Sequence, residues 1–167
     1  RLNENARYVA EVDNGSHIKK AAGSAGIKVS AEDNIGVLDY VGQRIAAGVT
    51  TAQIDDWIHE YTVAHGAMPA DLGYEGYPKS VCTSINDVVC HGIPSPKIAL
   101  AEVDIANVDC STIKDGYFSD SSRMSCVGEV SAERKPLVYL TTECAEAGLK
   151  AVQPCGHLGA MAQALQP

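Results

Sequence analysis

The spacing of apolar residues changes period several times along this chain, and each change marks an element. From Ile18 to about Ala47 the pattern is Ala-rich and helical, ending in IGVLDYVGQRIAAG, with Gly48 placed to stop the helix. Thr50 is a good N-cap for a second helix, in which Ile54, Trp57, Ile58 and Tyr61 recur at helical spacing and Gly66 ends the run. Residues 67–80 (AMPADLGYEGYPKS) read as a loop rich in Gly, Pro and Tyr. VCTSINDVVCHGIP reads as two short strands around Asn86-Asp87, broken at Gly92 and Pro94, and SPKIALAE as a surface turn. The period falls to two in residues 105–126, IANVDCSTIKDGYFSDSSRMSC, which predict a β-hairpin turning at Asp115-Gly116 and closed by Gly128. Ala132 to Val152 returns to a helical pattern with Pro136 in its first turn; Pro154 breaks it, and HLGAMAQAL opens a last helix. Residues 1–17 are polar, lack a period and read as an N-terminal extension.

The hairpin carries the first hint of chemistry. A two-residue turn at Asp115-Gly116 pairs Lys114 with Tyr117, Ile113 with Phe118, Ser111 with Asp120 and Asp109 with Ser122. Side chains alternate faces, so Asp109, Ser111, Asp120 and Ser122 share one face, and the buried-looking carboxylates Asp109 and Asp120 are diagonal neighbours roughly 7 Å apart at the backbone. Two such anions repel unless a positive charge lies between them. A divalent metal pair is one answer, since two-metal hydrolases hold their ions about 3.5–4 Å apart. A solvated face of an edge hairpin is the other, because a register slip of one residue would separate the pair. Ser111, between the two, would hold a metal-bound water or be an ordinary strand hydroxyl.

Composition narrows the function classes. The 167 residues suffice for one domain with a core, and 46% hydrophobic with 20% charged residues is ordinary for a globular protein. A net charge of −8 argues against nucleic-acid binding, which needs a basic face. No run is long enough to span a membrane and no signal-peptide pattern opens the chain; the start at Arg1 rather than Met leads us to expect a processed or recombinant chain. Cys82, Cys90, Cys110, Cys126, Cys144 and Cys155 form no C-x-x-C pair, so free thiols in a reducing cytoplasm are expected rather than disulfides or a zinc knuckle.

Other residues are weaker candidates. His91 lies where a predicted strand meets Gly92-Ile93-Pro94, which puts an imidazole at a strand end near a pocket, although a lone His is more often a capping or core residue. His17, His59 and His65 read as surface residues, and His157 as a first-turn residue of the last helix rather than a metal ligand. Tyr74 and Tyr77 could line an apolar pocket with Cys82, or simply pack in a turn. There is no phosphate-binding loop, Rossmann glycine fingerprint or serine-nucleophile elbow. LDYVGQRIAAGVTTAQID and ECAEAGLKAVQPCGHLGAM are both helix, break, helix, in register at a shift of 107 residues, a faint echo suggesting one full unit and the opening of a second.

Several segments together resemble type I methionine aminopeptidase. They are YPKSVCTSINDVVCHGIP, NVDCSTIKDGYFSDSSRM with the VG after it, the lead-in GVLDYVGQRIAAGVTTAQID and the later VQPCGHLGAMAQALQ. The resemblance covers nearly the whole chain after about Ile18, so residues 18–167 read as a catalytic domain of that kind, short of the family's C-terminal end. It implies an α+β, pita-bread fold: a curved antiparallel β-sheet with helices packed on one side, represented by the first half plus the opening helices of the second. It implies a hydrolase of the metallo-exopeptidase type that removes the N-terminal methionine from nascent polypeptides. Two divalent metal ions (Co, Mn, Fe, Zn or similar) would be held by two Asp, one His and two Glu. Asp109 matches the first, bidentate aspartate and Asp120 the bridging aspartate. His91 matches the histidine that contacts substrate near the scissile bond. Tyr74, Tyr77 and Cys82 match residues lining the methionine side-chain pocket, and Ser111 replaces a threonine.

The sequence departs from that pattern. It reaches no G-H-G-x-G segment, so the metal-binding His, both Glu ligands and the general base have no counterpart, and the isolated chain is expected to be inactive. Asp71 stands where Cys or another small residue is usual in the methionine pocket, and would disfavour an apolar side chain unless it points to solvent; Glu75, Asp87 and Ala47 also depart. An exposed apolar face is expected, to be covered by a homodimer or by the missing C-terminal half. The resemblance makes the nascent peptide N-terminus the substrate and the ribosome a candidate partner, with no nucleic acid or membrane. A non-catalytic pita-bread half binding peptides or a partner is the alternative; a prolidase-like metallopeptidase is a third reading, disfavoured by PKSVCTSIN and CHGIP.

Overall fold

The computed structural model describes residues 19–166; the predicted extension at 1–17, Ile18 and His17 lie outside the described residues. Helix α1 spans Ala21–Gly42 and buries Ser30, Asn34, Val37, Leu38 and Val41, one face at helical spacing. It stops five residues short of the expected Ala47, because at Val41 the chain tightens: Arg44 and Ile45 both donate to its carbonyl (2.8 and 3.1 Å). Gly48, with φ +89°, instead shapes the connection to the next helix. Helix α2 spans Thr51–Ala64 behind a full capping box: Gln53 N donates to Thr50 Oγ1 (3.2 Å), and Thr50 N to Gln53 Oε1 (2.9 Å). Gly66 ends this turn with φ +71°.

The expected loop at 67–80 carries more structure than its composition suggested. Met68–Pro69 form a two-residue strand, β1, and Tyr74–Gly76 a 3₁₀ turn. Strand β2 spans Cys82–Ile85, and the second strand expected after Asn86-Asp87 is absent. Asn86 adopts φ +51°, Val88 N donates to Ile85 O (3.1 Å), and the chain leaves the sheet with Val89 92% exposed. It returns beside β2 only where Thr83 N donates to Gly92 O (2.8 Å). That approach requires glycine: a Cβ at residue 92 would lie 2.0 Å from the Thr83 carbonyl oxygen.

Strands β3 (Ile105–Lys114) and β4 (Tyr117–Cys126) form the hairpin in the expected register, including Ser111 opposite Asp120 and Asp109 opposite Ser122. Asp115 and Gly116 both have positive φ (51° and 80°), as a tight hairpin turn of matching twist demands. β3 is central: β4 covers one edge, while β2 and β1 share the other, all antiparallel. Its inner residues Ala106, Val108 and Cys110 join Val37, Leu38, Val41, Ile54, Ile58, Val81, Leu100 and Val127 in one core. Towards the hairpin turn the contact with α1 becomes polar. Asn34 Nδ2 donates to the Cys110 carbonyl (2.8 Å) and to Thr112 Oγ1 (3.0 Å), and Ser30 Oγ lies 2.8 Å from Ser119 Oγ.

Helices α3 (Arg134–Ala151) and α4 (Leu158–Leu165) follow, with Pro136 in the first turn of α3 and His157 as the N-cap of α4. They pack on each other, Gly148 against Leu165 and Met161. The expected exposed apolar surface is here: Leu137, Leu140, Leu149, Val152 and Leu158 are all open to solvent. The starts of α2 and α4 are 107 residues apart, which is the shift of the helix–break–helix echo. No helix among the described residues is long and apolar enough to cross a membrane.

Candidate metal centre and pocket

The period-two alternation of β3 divides its residues between two environments. Val108, Cys110 and Thr112 face the helices, so Asp109 and Ser111 emerge on the opposite face. The register brings Asp120 of β4 beside Ser111, and Ser111 Oγ donates to Asp120 Oδ1 (2.8 Å). Asp109 is half-buried because it lies on the central strand, between Cys82 of β2 and Ser122 of β4. Asp120 is exposed, not buried as its strand context suggested, because among the described residues β4 pairs only with β3 and forms an edge of the sheet.

A third carboxylate joins this face. Ala70 N donates to the Ser111 carbonyl (2.8 Å), and Ser111 N donates back to Asp71 Oδ2 (3.0 Å). Ser111 therefore holds Asp71 with its backbone and Asp120 with its hydroxyl. The electrostatics record the crowding. Burial pushes the Asp109 carboxyl up, the charges of Asp120 and Asp71 push it further, and His91 opposes them. Burial also raises Asp71; the Ser111 amide opposes that, Asp120 adds to it, and His91 lowers it. No Lys or Arg among the described residues forms an ion pair with any of the three.

Beside the carboxylates lies a cleft of about 540 Å³, lined by Asp71, Tyr74, Glu75, Tyr77, Cys82, His91 and Ile93 among others. The geometry thus brings together all the residues that the sequence singled out for a pocket. Tyr77 is fixed by donating its hydroxyl to the Val81 carbonyl (2.9 Å), and burial raises its pKa far above the usual phenol value, with Cys82 adding to the effect. Burial raises the Cys82 thiol; the Tyr77 hydroxyl opposes this and the Asp71 charge adds to it. On the core side of β3, Cys110 is pushed up to about 12, burial first and then Asp71, and is an inert packing thiol. His91 is not at a strand end. It sits in irregular chain with φ +54°, exposed at the cleft, because the second arm after β2 never joins the sheet.

Some supporting residues were invisible in the sequence. The buried carboxylate of Asp55 accepts from Lys79 Nζ (2.9 Å) and from Ser80 N (2.7 Å), and His59 Nδ1 lies 3.0 Å from Ser80 Oγ. These contacts tie the Pro78-Lys79-Ser80 segment behind Tyr77 to α2. An apolar helical stripe at Ile54 and Ile58 signals the helix, and nothing in it signals that Asp55 caps a loop 25 residues later. His65 stacks on Tyr61 with ring centroids 3.9 Å apart, and His157 caps α4; neither reaches the cleft.

The donor chemistry of Asp109 and Asp120 fits a hard divalent cation, which prefers carboxylate oxygens and would relieve their repulsion. Among the described residues no three His, Cys, Asp or Glu side chains close up into a metal-holding group. Two carboxylates on one sheet face therefore form an open site that needs further ligands.

Residues 25–166 match the model of metallopeptidase family M24. Methionine aminopeptidase A of Synechocystis sp. is 46% identical over 130 residues, covering 78% of this chain and 51% of the relative. The methionine aminopeptidase of Rickettsia prowazekii is 42% identical over 139 residues, covering 83% of this chain and 52% of the relative. Its crystal structure superposes with a TM-score of 0.87 at 37% identity, over 90% of this chain and 60% of that one. The chain thus spans about half the length of the curated relatives it matches.

Proposed function

The chain belongs to metallopeptidase family M24 and has the pita-bread fold of its structural neighbours, and from that premise we propose that it serves in metal-dependent removal of the N-terminal methionine from nascent polypeptides. The family implies divalent metal ions, and this chain would supply Asp109 and Asp120 among the residues that hold them. When bound, such ions supply Lewis acidity toward a scissile carbonyl. The chain's own residues would do the rest of what they reach. Tyr74, Tyr77 and Cys82 form the wall of the side-chain pocket. His91, at the cleft, would donate a hydrogen bond near the scissile bond. Ser111 orients Asp120 through its hydroxyl and would steady the water nearby. Residues 18–167 would form the catalytic-domain part, with 1–17 an extension.

One observation carries this reading: the hairpin register sets two carboxylates, unpaired by any cation among the described residues, beside an aromatic-walled cleft. We place the reaction in the cytoplasm, since six free cysteines suit a reducing compartment. The ribosome is the expected source of substrate. The apolar surface of α3 and α4 would be covered by a second copy or by chain equivalent to the relatives' other half. If neither completes the ligand set, the chain is instead a peptide-binding half without catalysis.

Two measurements test the proposal. An electron paramagnetic resonance titration with Mn²⁺ should show binding that Asp109→Asn and Asp120→Asn each weaken by at least the roughly 10–100-fold that even partners of metal ligands contribute. The 167-residue chain alone, with Mn²⁺ or Co²⁺, should hydrolyse Met-Ala-Ser negligibly. Undiminished Mn²⁺ binding in Asp109→Asn would overturn the metal assignment, and ready hydrolysis would overturn the incompleteness of the site.

A further inference from the structure

Asp71 is the residue of this cleft that an apolar binding pocket does not need. Its carboxylate does not point to solvent. It lines the cleft, half-buried, with Oδ2 anchored on the Ser111 amide. The neighbouring Ala70 N–H bonds to the Ser111 carbonyl, which fixes the backbone of this segment against β3, while the Ser111 amide holds the Asp71 side chain. Glu75 lines the same cleft, whereas no Lys or Arg among the described residues does. Tyr74, Tyr77 and Ile93 supply apolar wall around these two acids.

A thioether side chain entering this space would desolvate the Asp71 carboxylate and offer it no donor, which costs binding. A side chain that ends in an ammonium group would lay its methylenes along the tyrosines and bring its charge to the carboxylate. We infer that Asp71 is a specificity-determining residue that extends the first-side-chain pocket from methionine to residues ending in a primary ammonium group. The inference rests on the proposal that this cleft takes the first side chain of a peptide.

Two amino-acid amides separate the possibilities. L-Lysinamide and L-norleucinamide share a four-carbon stem and an α-amine and differ in the terminal ammonium. Each is titrated into the ¹⁵N-labelled 167-residue chain, and the shifts of the Tyr77, Cys82 and Ile93 amides are followed. Lysinamide should bind more tightly than norleucinamide. Asp71→Asn, which keeps an oxygen for the Ser111 amide, should weaken lysinamide about tenfold, the size of one charged hydrogen bond, and leave norleucinamide unchanged or tighter. Asp71→Glu retains the charge and should retain the lysinamide preference, which guards against a misfolded asparagine variant. An unchanged lysinamide-to-norleucinamide ratio in Asp71→Asn overturns the inference, as does equal weakening of both amides, which would assign Asp71 to the α-amine. If neither amide shifts the cleft resonances, the first-side-chain reading of the cleft fails as well.

Discussion

The two faces of β3 are made by the same ten residues and answer to opposite physics. On the inner face, Ala106, Val108, Cys110 and Thr112 are buried against α1 and the core. On the outer face, Asn107, Asp109, Ser111 and Ile113 are only partly covered, and the acids there are brought closer to one another than water alone would leave them. Inner positions lower the free energy of folding. The raised carboxyl of Asp109 on the outer face works against it. A strand that pairs both faces of its neighbours in a single register can do both at once, since alternate residues never share an environment.

The sharpest way to break this comparison is to damage the inner side. Ile58 of α2 is 1% exposed within the same core, and Ile58→Ala should cost about 2–5 kcal/mol in urea denaturation. A cost near zero would mean that the helix layer does not support the sheet. Next is the polar junction between α1 and β3. Asn34 is fully buried and its Nδ2 bonds the Cys110 carbonyl and Thr112 Oγ1 of β3, so Asn34→Ala should cost about 1–3 kcal/mol by stranding those two acceptors. Away from both faces, Thr50→Ala removes a capping box and should cost about 1 kcal/mol.

The outer face should respond least, and with the opposite sign. Asp109 and Asp71 have folded-state carboxyls raised above their ordinary range. Such groups favour the fold below the ordinary carboxyl pKa, and that contribution is lost as pH rises through the raised values. In EDTA, the urea midpoint should therefore fall modestly on going from acid toward neutral pH. Asp109→Asn should flatten that slope and slightly stabilise the chain at neutral pH. A loss of stability in Asp109→Asn at pH 7 would contradict the electrostatic account of this face.

Much of the hairpin is legible in the sequence. Asp115-Gly116 demands positive φ at two successive positions, and that local requirement dictates which residues oppose one another for ten residues on either side. The pattern also predicts a second strand after Asn86, because Val88-Val89-Cys90 has the composition of one, but the positive φ of Asn86 turns the chain out of the sheet before it can pair. His91 was placed at a strand end for the same reason, yet the loop still delivers it to the cleft, held by the close pass of Gly92 against Thr83. β1 was missed because two residues carry no period; its existence depends on Ile113 and Thr112, more than 40 positions away.

By itself, then, the sequence determined the presence of the helices, the Thr50 cap, the hairpin register and the sharing of one face by Asp109, Ser111 and Asp120, because each of these follows from neighbours within a few residues or from a turn between them. Tertiary structure alone decided how far each carboxylate is buried, that Ser111 links Asp120 to Asp71, and that Asp71 faces into the cleft rather than out of it. Those outcomes depend on which strand is central and which is an edge, and on a chain segment 40 residues distant meeting β3 by backbone hydrogen bonds. No local pattern encodes such a meeting, since backbone amides and carbonyls are alike at every position.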